Sequence, residues 1–172
     1  MRKFKRYTPI KIIFDSMLGI LLLMASTTVG AEPMMTLGAV EEVILLPWKV
    51  TIPARIDTGA ATSSLDVCEL KRLSRKQVEF KLPDRCGGHK IRMPVVDWRT
   101  IKSTEGKTER RPVVELELCL GPKRLRTEVS LNDRSLMEFP LLIGRKTLEG
   151  NFVVDVSRSK TVSPTCPEDP SP

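Results

Sequence analysis

Histidine is almost missing from this chain. Its 172 residues hold one, His89, and no His-Glu-x-x-His pair. A zinc centre needs four donors, or three and a water. Cys86-Gly87-Gly88-His89 has ligand-like spacing but too few partners, so no metal is expected. A phosphate cradle is also incomplete. Gly106-Lys107-Thr108 resembles the end of Gly-x-x-x-x-Gly-Lys-Ser/Thr, but Ile101 stands at the first position and no helical pattern follows. No nucleotide and no other cofactor is expected. Aromatic residues make up only 5% of the chain, so the core must be aliphatic. Long helical periods and internal repeats are lacking. Strong charge is lacking too. The formal charge is +7, yet the first 31 residues carry five of the 28 basic and one of the 21 acidic residues, leaving +3. That is too mild a balance to argue for nucleic acid.

What is present begins with an N-terminal leader. A basic stretch ends at Lys11, an apolar run spans Met17 to Ala25, and Val29-Gly30-Ala31 offers a cleavage site. Residues 1–31 are expected to be a secretory signal. The alternative is an uncleaved anchor from Ile10 to Val29. The first reading exports the domain to the periplasm; the second leaves it on the inner membrane, facing the periplasm. Membrane contact is expected only through this segment. An oxidising compartment favours disulfides among Cys68, Cys86, Cys119 and Cys166. Cys86–Cys166 or Cys68–Cys86 is the expected bridge, because Cys119 sits in a strand-like run as a buried thiol would.

The remainder divides into a domain over residues 32–156 and a Pro/Ser-rich tail over residues 157–172, expected to be mostly disordered. Residues 32–37 look like a linker. Strands are expected over Val40 to Pro47, Val50 to Ile56, Thr62 to Val67 and Gln77 to Leu82, with extended chain over Ile91 to Ile101. Val114, Leu116, Leu118 and Leu120 alternate with Glu115, Glu117 and Cys119. After Gly121-Pro122, Leu125, Thr127, Val129 and Leu131 alternate with Arg124, Arg126 and Glu128. Two such runs make an antiparallel hairpin whose polar face sets Glu115 and Glu117 against Arg124 and Arg126. Pro140 to Ile143 and Phe152 to Val156 complete the strands, with a helical turn from Arg145 to Leu148 between them. Many short strands with turn signals argue an all-β domain.

Ala54-Arg55-Ile56-Asp57-Thr58-Gly59-Ala60 is an Asp-Thr-Gly in an apolar frame. Far downstream stands Leu141-Leu142-Ile143-Gly144-Arg145. Alone, Asp-Thr-Gly is an ordinary turn pattern. The order and context of both elements resemble the retropepsin family. More closely, they resemble a bacterial retropepsin-like family historically labelled "ATP-dependent zinc protease". Leu46-Pro47, Thr62-Ser63-Ser64-Leu65, Glu109-Arg110-Arg111-Pro112-Val113-Val114 and Leu131-Asn132-Asp133-Arg134 also carry the likeness. It implies a closed acid-protease barrel with a flap-like hairpin, here around Ser103–Thr108. It also implies Asp57 as the catalytic group, supported by Thr58, Gly59, Ala60, Gly144 and Arg145. Two departures stand out. Members often carry His where this chain has Asp66. Many retroviral relatives place an Asp where this chain has Ala61, so Arg145 lacks that partner. The family label fails the chemical tests above for both ATP and zinc.

Aspartic peptidase chemistry needs two carboxyl groups sharing one proton, one activating water and the other polarising the scissile carbonyl. One Asp57 per chain then implies a symmetric homodimer with the site on its two-fold axis. The expected function is an aspartic endopeptidase acting on a peptide or protein. Arg99, Arg110, Arg111 and Arg134 are either a solvated basic face or a cleft selecting an acidic substrate. Arg111 and Arg134 are the preferred substrate-binding candidates. The competing class is an exported protein on the same fold that binds a peptide or partner without cutting it.

Overall fold

In the computed structural model the described residues are 34–102 and 108–166. Twelve strands occur among them: β1 (Met35–Leu37), β2 (Val40–Leu46), β3 (Val50–Ile56), β4 (Ser63–Asp66), β5 (Cys68–Arg72), β6 (Gln77–Lys81), β7 (Lys90–Pro94), β8 (Asp97–Lys102), β9 (Thr108–Leu120), β10 (Lys123–Asn132), β11 (Leu141–Ile143) and β12 (Phe152–Val154). One helical turn, α1 (Arg145–Leu148), follows β11.

Six strands close a barrel in the ring order β10, β4, β11, β3, β2, β9, with β9 pairing back to β10. Most contacts are antiparallel, but β4 runs parallel to β10 and β11 runs parallel to β3. The period-2 patterns explain the closure. Val43 and Leu45 of β2, Ile52 and Ala54 of β3, Leu116, Leu118 and Leu120 of β9, and Val129 and Leu131 of β10 all fill the interior. Burying each large aliphatic side chain stabilises the fold by about 1.5–3 kcal/mol. Aliphatic side chains make up most of the core, and Phe80 and Phe152 are its aromatic members among the described residues. The β5–β6–β7 sheet adds Val78, Phe80 and Ile91 to the same core, and Leu82, just after β6, joins them.

The hairpin of β9 and β10 forms as expected, with Leu125 opposite Leu118 and Thr127 opposite Leu116. Its ion pairs run diagonally: Arg124 meets Glu117 at 2.6 Å and Arg126 meets Glu115 at 3.6 Å. The extended stretch near residues 91–101 is two strands, β7 and β8, and β8 hangs on the barrel through β9. Lys102 pairs with Thr108, so the chain does reverse there. The tip of the expected flap, residues 103–107, lies outside the described residues, as does the expected leader over residues 1–31. Among the described residues no helix is long and apolar enough to cross a membrane.

Three expectations are corrected. Met35–Leu37, within the expected linker, is a strand paired in parallel with β12. The disulfide joins Cys119 to Cys166, while Cys68 and Cys86 are free thiols. The expected tail is ordered at least over residues 157–166. The last two corrections share one cause. Cys119 points to the outer face of β9, opposite Leu118 and Leu120, and that face is covered by the returning C-terminal segment.

This segment is tied to the barrel at several points. Ala39 donates its N–H to Arg158 C=O at 2.7 Å, and Lys160 donates to Val40 C=O at 2.7 Å. Glu41 is fully buried. Its carboxylate accepts from Gly38 N–H, from Thr161 N–H and Oγ1, and from Val162 N–H. A buried carboxylate is tolerable only with such partners. Gly38 lies so close to the segment that a Cβ there would stand 2.5 Å from Arg158 O.

Candidate active site

Asp57 follows directly on β3. Its N–H donates to Ile143 C=O at 2.9 Å, continuing the parallel ladder of β3 and β11. Its Oδ1 accepts from Gly59 N–H at 2.8 Å and from Ala60 N–H at 3.1 Å. The turn thus folds onto its own carboxylate and fixes its direction. Asp57 is half-buried, and Thr58 and Gly59 are exposed.

Four successive carbonyls of the loop are then collected by the segment after β11. Arg145 Nη1 donates to Thr58 C=O at 2.9 Å and to Gly59 C=O at 2.7 Å. The backbone N–H of Arg145 donates to Ala60 C=O at 2.9 Å, and that of Lys146 to Ala61 C=O at 3.2 Å. Arg145 therefore finds backbone oxygens where retroviral relatives offer a carboxylate. Gly144 is required by contact. A Cβ there would lie 2.6 Å from Thr62 C and 2.8 Å from Thr62 O.

A chain of buried hydroxyls braces the loop from beneath. Ser63 Oγ accepts from Gly144 N–H at 3.1 Å and bonds Thr147 Oγ1 at 2.8 Å; Thr147 in turn bonds Thr127 Oγ1 at 2.8 Å. Sequence reasoning missed this network. Its one signal was Thr and Ser at otherwise apolar strand positions.

Beside the loop opens a cavity of about 300 Å³, lined among others by Thr62, Ser64, Arg99, Arg111, Ser130 and Arg134. Arg111 and Arg134, both singled out from sequence, are brought together here. Arg99 joins them, donating to Thr62 Oγ1 and to Glu128 Oε2, each at 2.5 Å. Arg110 is not part of the cavity. It stands over the Trp98 ring at 5.5 Å, with Arg72 at 5.0 Å from the same ring. Arg111 pairs through Nε and Nη2 with Glu109, at 2.8 and 2.7 Å.

Arg134 differs from its neighbours. Its Nε is buried without a hydrogen-bond partner among the described residues, and so is the hydroxyl of Ser64, a residue only 8% exposed. Burial pushes the Arg134 pKa below its ordinary value, and Arg111 and Arg85 act the same way; Asp66 and Asp57 oppose them. Burial and two neighbouring cations thus outweigh the two acids, so a further anion would be stabilised there.

Asp66 was noted from sequence only as a departure from the family. It is buried, paired with Arg85, and its Oδ1 accepts from Arg134 N–H at 2.7 Å. Arg85 carried no sequence signal.

A second, open groove of about 470 Å³ adjoins the loop at Thr58 and is lined also by Arg145, Leu148, Glu149, Phe152 and Val154. Exposed Val153 and Val156 lie close by in sequence.

A closed β-barrel with an Asp-Thr-Gly loop locked by an apolar-Gly-Arg segment defines a retropepsin-like protein. Residues 36–165 match the model of the RimB-like family, described as retropepsin-like aspartic endopeptidase RimB, and the chain belongs to that family. It also resembles proteins named probable alpha-L-glutamate ligase. The one from Parasynechococcus marenigrum is 33% identical over 111 residues, covering 60% of this chain and 24% of that protein. The one from Shewanella pealeana is 34% identical over 115 residues, covering 63% and 25%. The chain thus spans about a quarter of the length of these curated relatives. Among solved structures, the Legionella pneumophila protein Lpg0085, of unknown function, matches with a TM-score of 0.64 and 28% identity, covering 74% of this chain and 97% of that one.

Proposed function

We propose that the protein is an aspartic endopeptidase that works as a homodimer on acidic peptides. The observation that carries this reading is the Asp57 loop. One carboxylate oxygen is held by two backbone N–H groups, and four loop carbonyls are tied to the segment at Arg145. Such preorganisation suits a group that must keep its aim while a proton moves.

Asp57 from each of two copies would share one proton, and the pair would titrate as a unit. The ionised carboxylate takes a proton from water as its oxygen attacks the scissile carbonyl carbon. The protonated partner gives its proton to the carbonyl oxygen, so a neutral tetrahedral diol forms. On collapse one diol hydroxyl returns a proton to that partner, the C–N bond breaks, and the proton taken from water passes to the leaving nitrogen. No covalent intermediate forms. The groove at Thr58, Arg145, Leu148 and Phe152 supports a contact between copies, because it adjoins the loop that must meet its twin.

The arginine-lined cavity supports an acidic substrate, since guanidinium groups pair with carboxylates in a fixed geometry. The relatives' name, glutamate ligase, supports the same chemistry. The Cys119–Cys166 disulfide supports an exported, periplasmic protein.

The test is cleavage of a peptide library by the mature protein and by Asp57→Asn, from mildly acid to neutral pH, with molecular mass measured alongside. Cleavage by a dimer, lost in the variant, is the expected result. Cleavage that survives the substitution overturns the mechanism. A dimer that binds acidic peptides and never cuts them moves the protein to the binding class.

A further inference from the structure

Arg134 lies in a loop after β10, among exposed Asp133, Ser135, Leu136 and Met137. A loop residue of this kind would ordinarily swing into water. Its backbone, however, is held on both sides. Asp66 Oδ1 accepts the Arg134 N–H at 2.7 Å, and Asp66 Oδ2 holds Arg85 Nη2 at 2.5 Å. The same Arg85 Nη2 reaches Arg134 C=O, and Arg85 Nη1 reaches Met137 C=O, both at 3.4 Å. Asp66 is anchored in turn, its own N–H donating to Pro140 C=O at 2.7 Å. It sits on β4 next to Leu65, which is held in register by β10 and β11.

We infer that the Asp66–Arg85 ion pair is a positioning device for substrate selection. It clamps both the N–H and the C=O of Arg134, and so fixes the guanidinium in the cavity beside the Asp57 loop. A cation aimed this way meets an incoming carboxylate without ordering itself first, which is where preorganised sites gain affinity. The clamp also explains why a carboxylate 1% exposed is retained at position 66. Its charge satisfies one guanidinium and one backbone donor, and through them holds a second guanidinium with a free Nε–H. Asp66 and Arg85 line neither this cavity nor the Asp57 loop, so they act through Arg134.

The inference rests on the acidic-substrate reading, and the experiment separates the two. The wild-type protein, Arg85→Ala, Asp66→Asn and Arg134→Ala are compared on acetyl-Glu-Glu-Glu-amide and acetyl-Gln-Gln-Gln-amide. For the kinetic assay each sequence carries a fluorophore and a quencher at its two ends in place of the caps, and binding of the capped peptides is read by titration. The Arg134 Nε–H resonance, assigned by its loss in Arg134→Lys, reports the side chain directly. Arg85 is half-exposed, so Arg85→Ala keeps the test open where buried Asp66→Asn fails to fold.

The expected result has three parts. Arg134→Ala and Arg85→Ala weaken binding of the Glu peptide about tenfold. Where the peptides are cut, KM rises and kcat holds, and the Gln peptide is unaffected. The Nε–H signal, protected in wild type, exchanges freely in Arg85→Ala. If Arg134→Ala loses the Glu preference while Arg85→Ala keeps both the preference and the protected signal, the clamp is overturned and the acidic pocket stands. If the wild type does not distinguish the peptides and its Nε–H signal is unmoved by either, the acidic reading falls and the selective role of the clamp falls with it.

Discussion

Reducing the Cys119–Cys166 bond is expected to destabilise the domain without touching its chemistry. The bond closes a loop of 47 residues. A cross-link of that span removes unfolded-state entropy worth about 4 kcal/mol at room temperature in the chain-entropy picture. For a domain of this size each kcal/mol moves Tm by roughly 3 °C, so the reduced protein should melt about 12 °C lower. Cys166→Ser, without reductant, should melt with the reduced wild type. The remaining cysteines, Cys68 and Cys86, are free thiols and give the reductant nothing else to break. The folded state should change little, because the C-terminal segment keeps its bonds from Ala39, Lys160, Thr161 and Val162. Amide exchange at Thr161 and Val162 should therefore stay slow below the lowered Tm. Cleavage at 25 °C should be unchanged, since the segment touches neither the Asp57 loop nor the arginine cavity. The assay is a thermal melt with and without reductant, with hydrogen exchange on the same samples. Coincident melts, or loss of protection at Thr161 on reduction alone, would refute the reasoning.

Two further outcomes follow from the site itself. Gly144→Ala pushes a methyl group into the backbone of Thr62, which no rotamer change relieves. It should cost about 1–3 kcal/mol of stability and reduce kcat more than Tm suggests, because the yielding segment carries the Asp57 loop; a variant with native melting and native cleavage would sink this. Glu128 has its pKa held below 4.5, chiefly by the Arg99 bond and also by Lys146, with burial opposing. A depressed carboxylate stabilises the fold above its unfolded pKa and ceases to as pH falls through its folded pKa. Glu128 is 41% exposed, so solvent screening keeps the effect under about 1 kcal/mol. Glu128→Gln should therefore flatten the fall in Tm below pH 4.5, and parallel curves for the two proteins would contradict the assignment.

Much of the barrel was legible because it rests on local chemistry. Period-2 alternation in β9 and β10 specified both their pairing and which face enters the core. Small residues in Asp57-Thr58-Gly59-Ala60 marked a tight turn, and Gly144-Arg145 marked the segment that holds it. Arg111 and Arg134 could be singled out by the words around them, though nothing local placed them in one cavity. The sequence by itself determined an aliphatic all-β domain and its one candidate carboxyl per chain. Tertiary structure alone decided the rest. Cys119 looked like a buried thiol because strand context says nothing of what returns to cover an outer face; Cys166 came back across it. Nothing local set Glu41 apart from Glu42; it is buried because residues 158–162 fold over it, and Thr161 and Val162 join Gly38 as its donors. Asp66 and Arg85 became a pair only when β4 and the turn after β6 met beside Arg134. In each case the partner is distant along the chain, and a hydrogen bond or ion pair depends on separation in space, to which periodicity and spacing are blind.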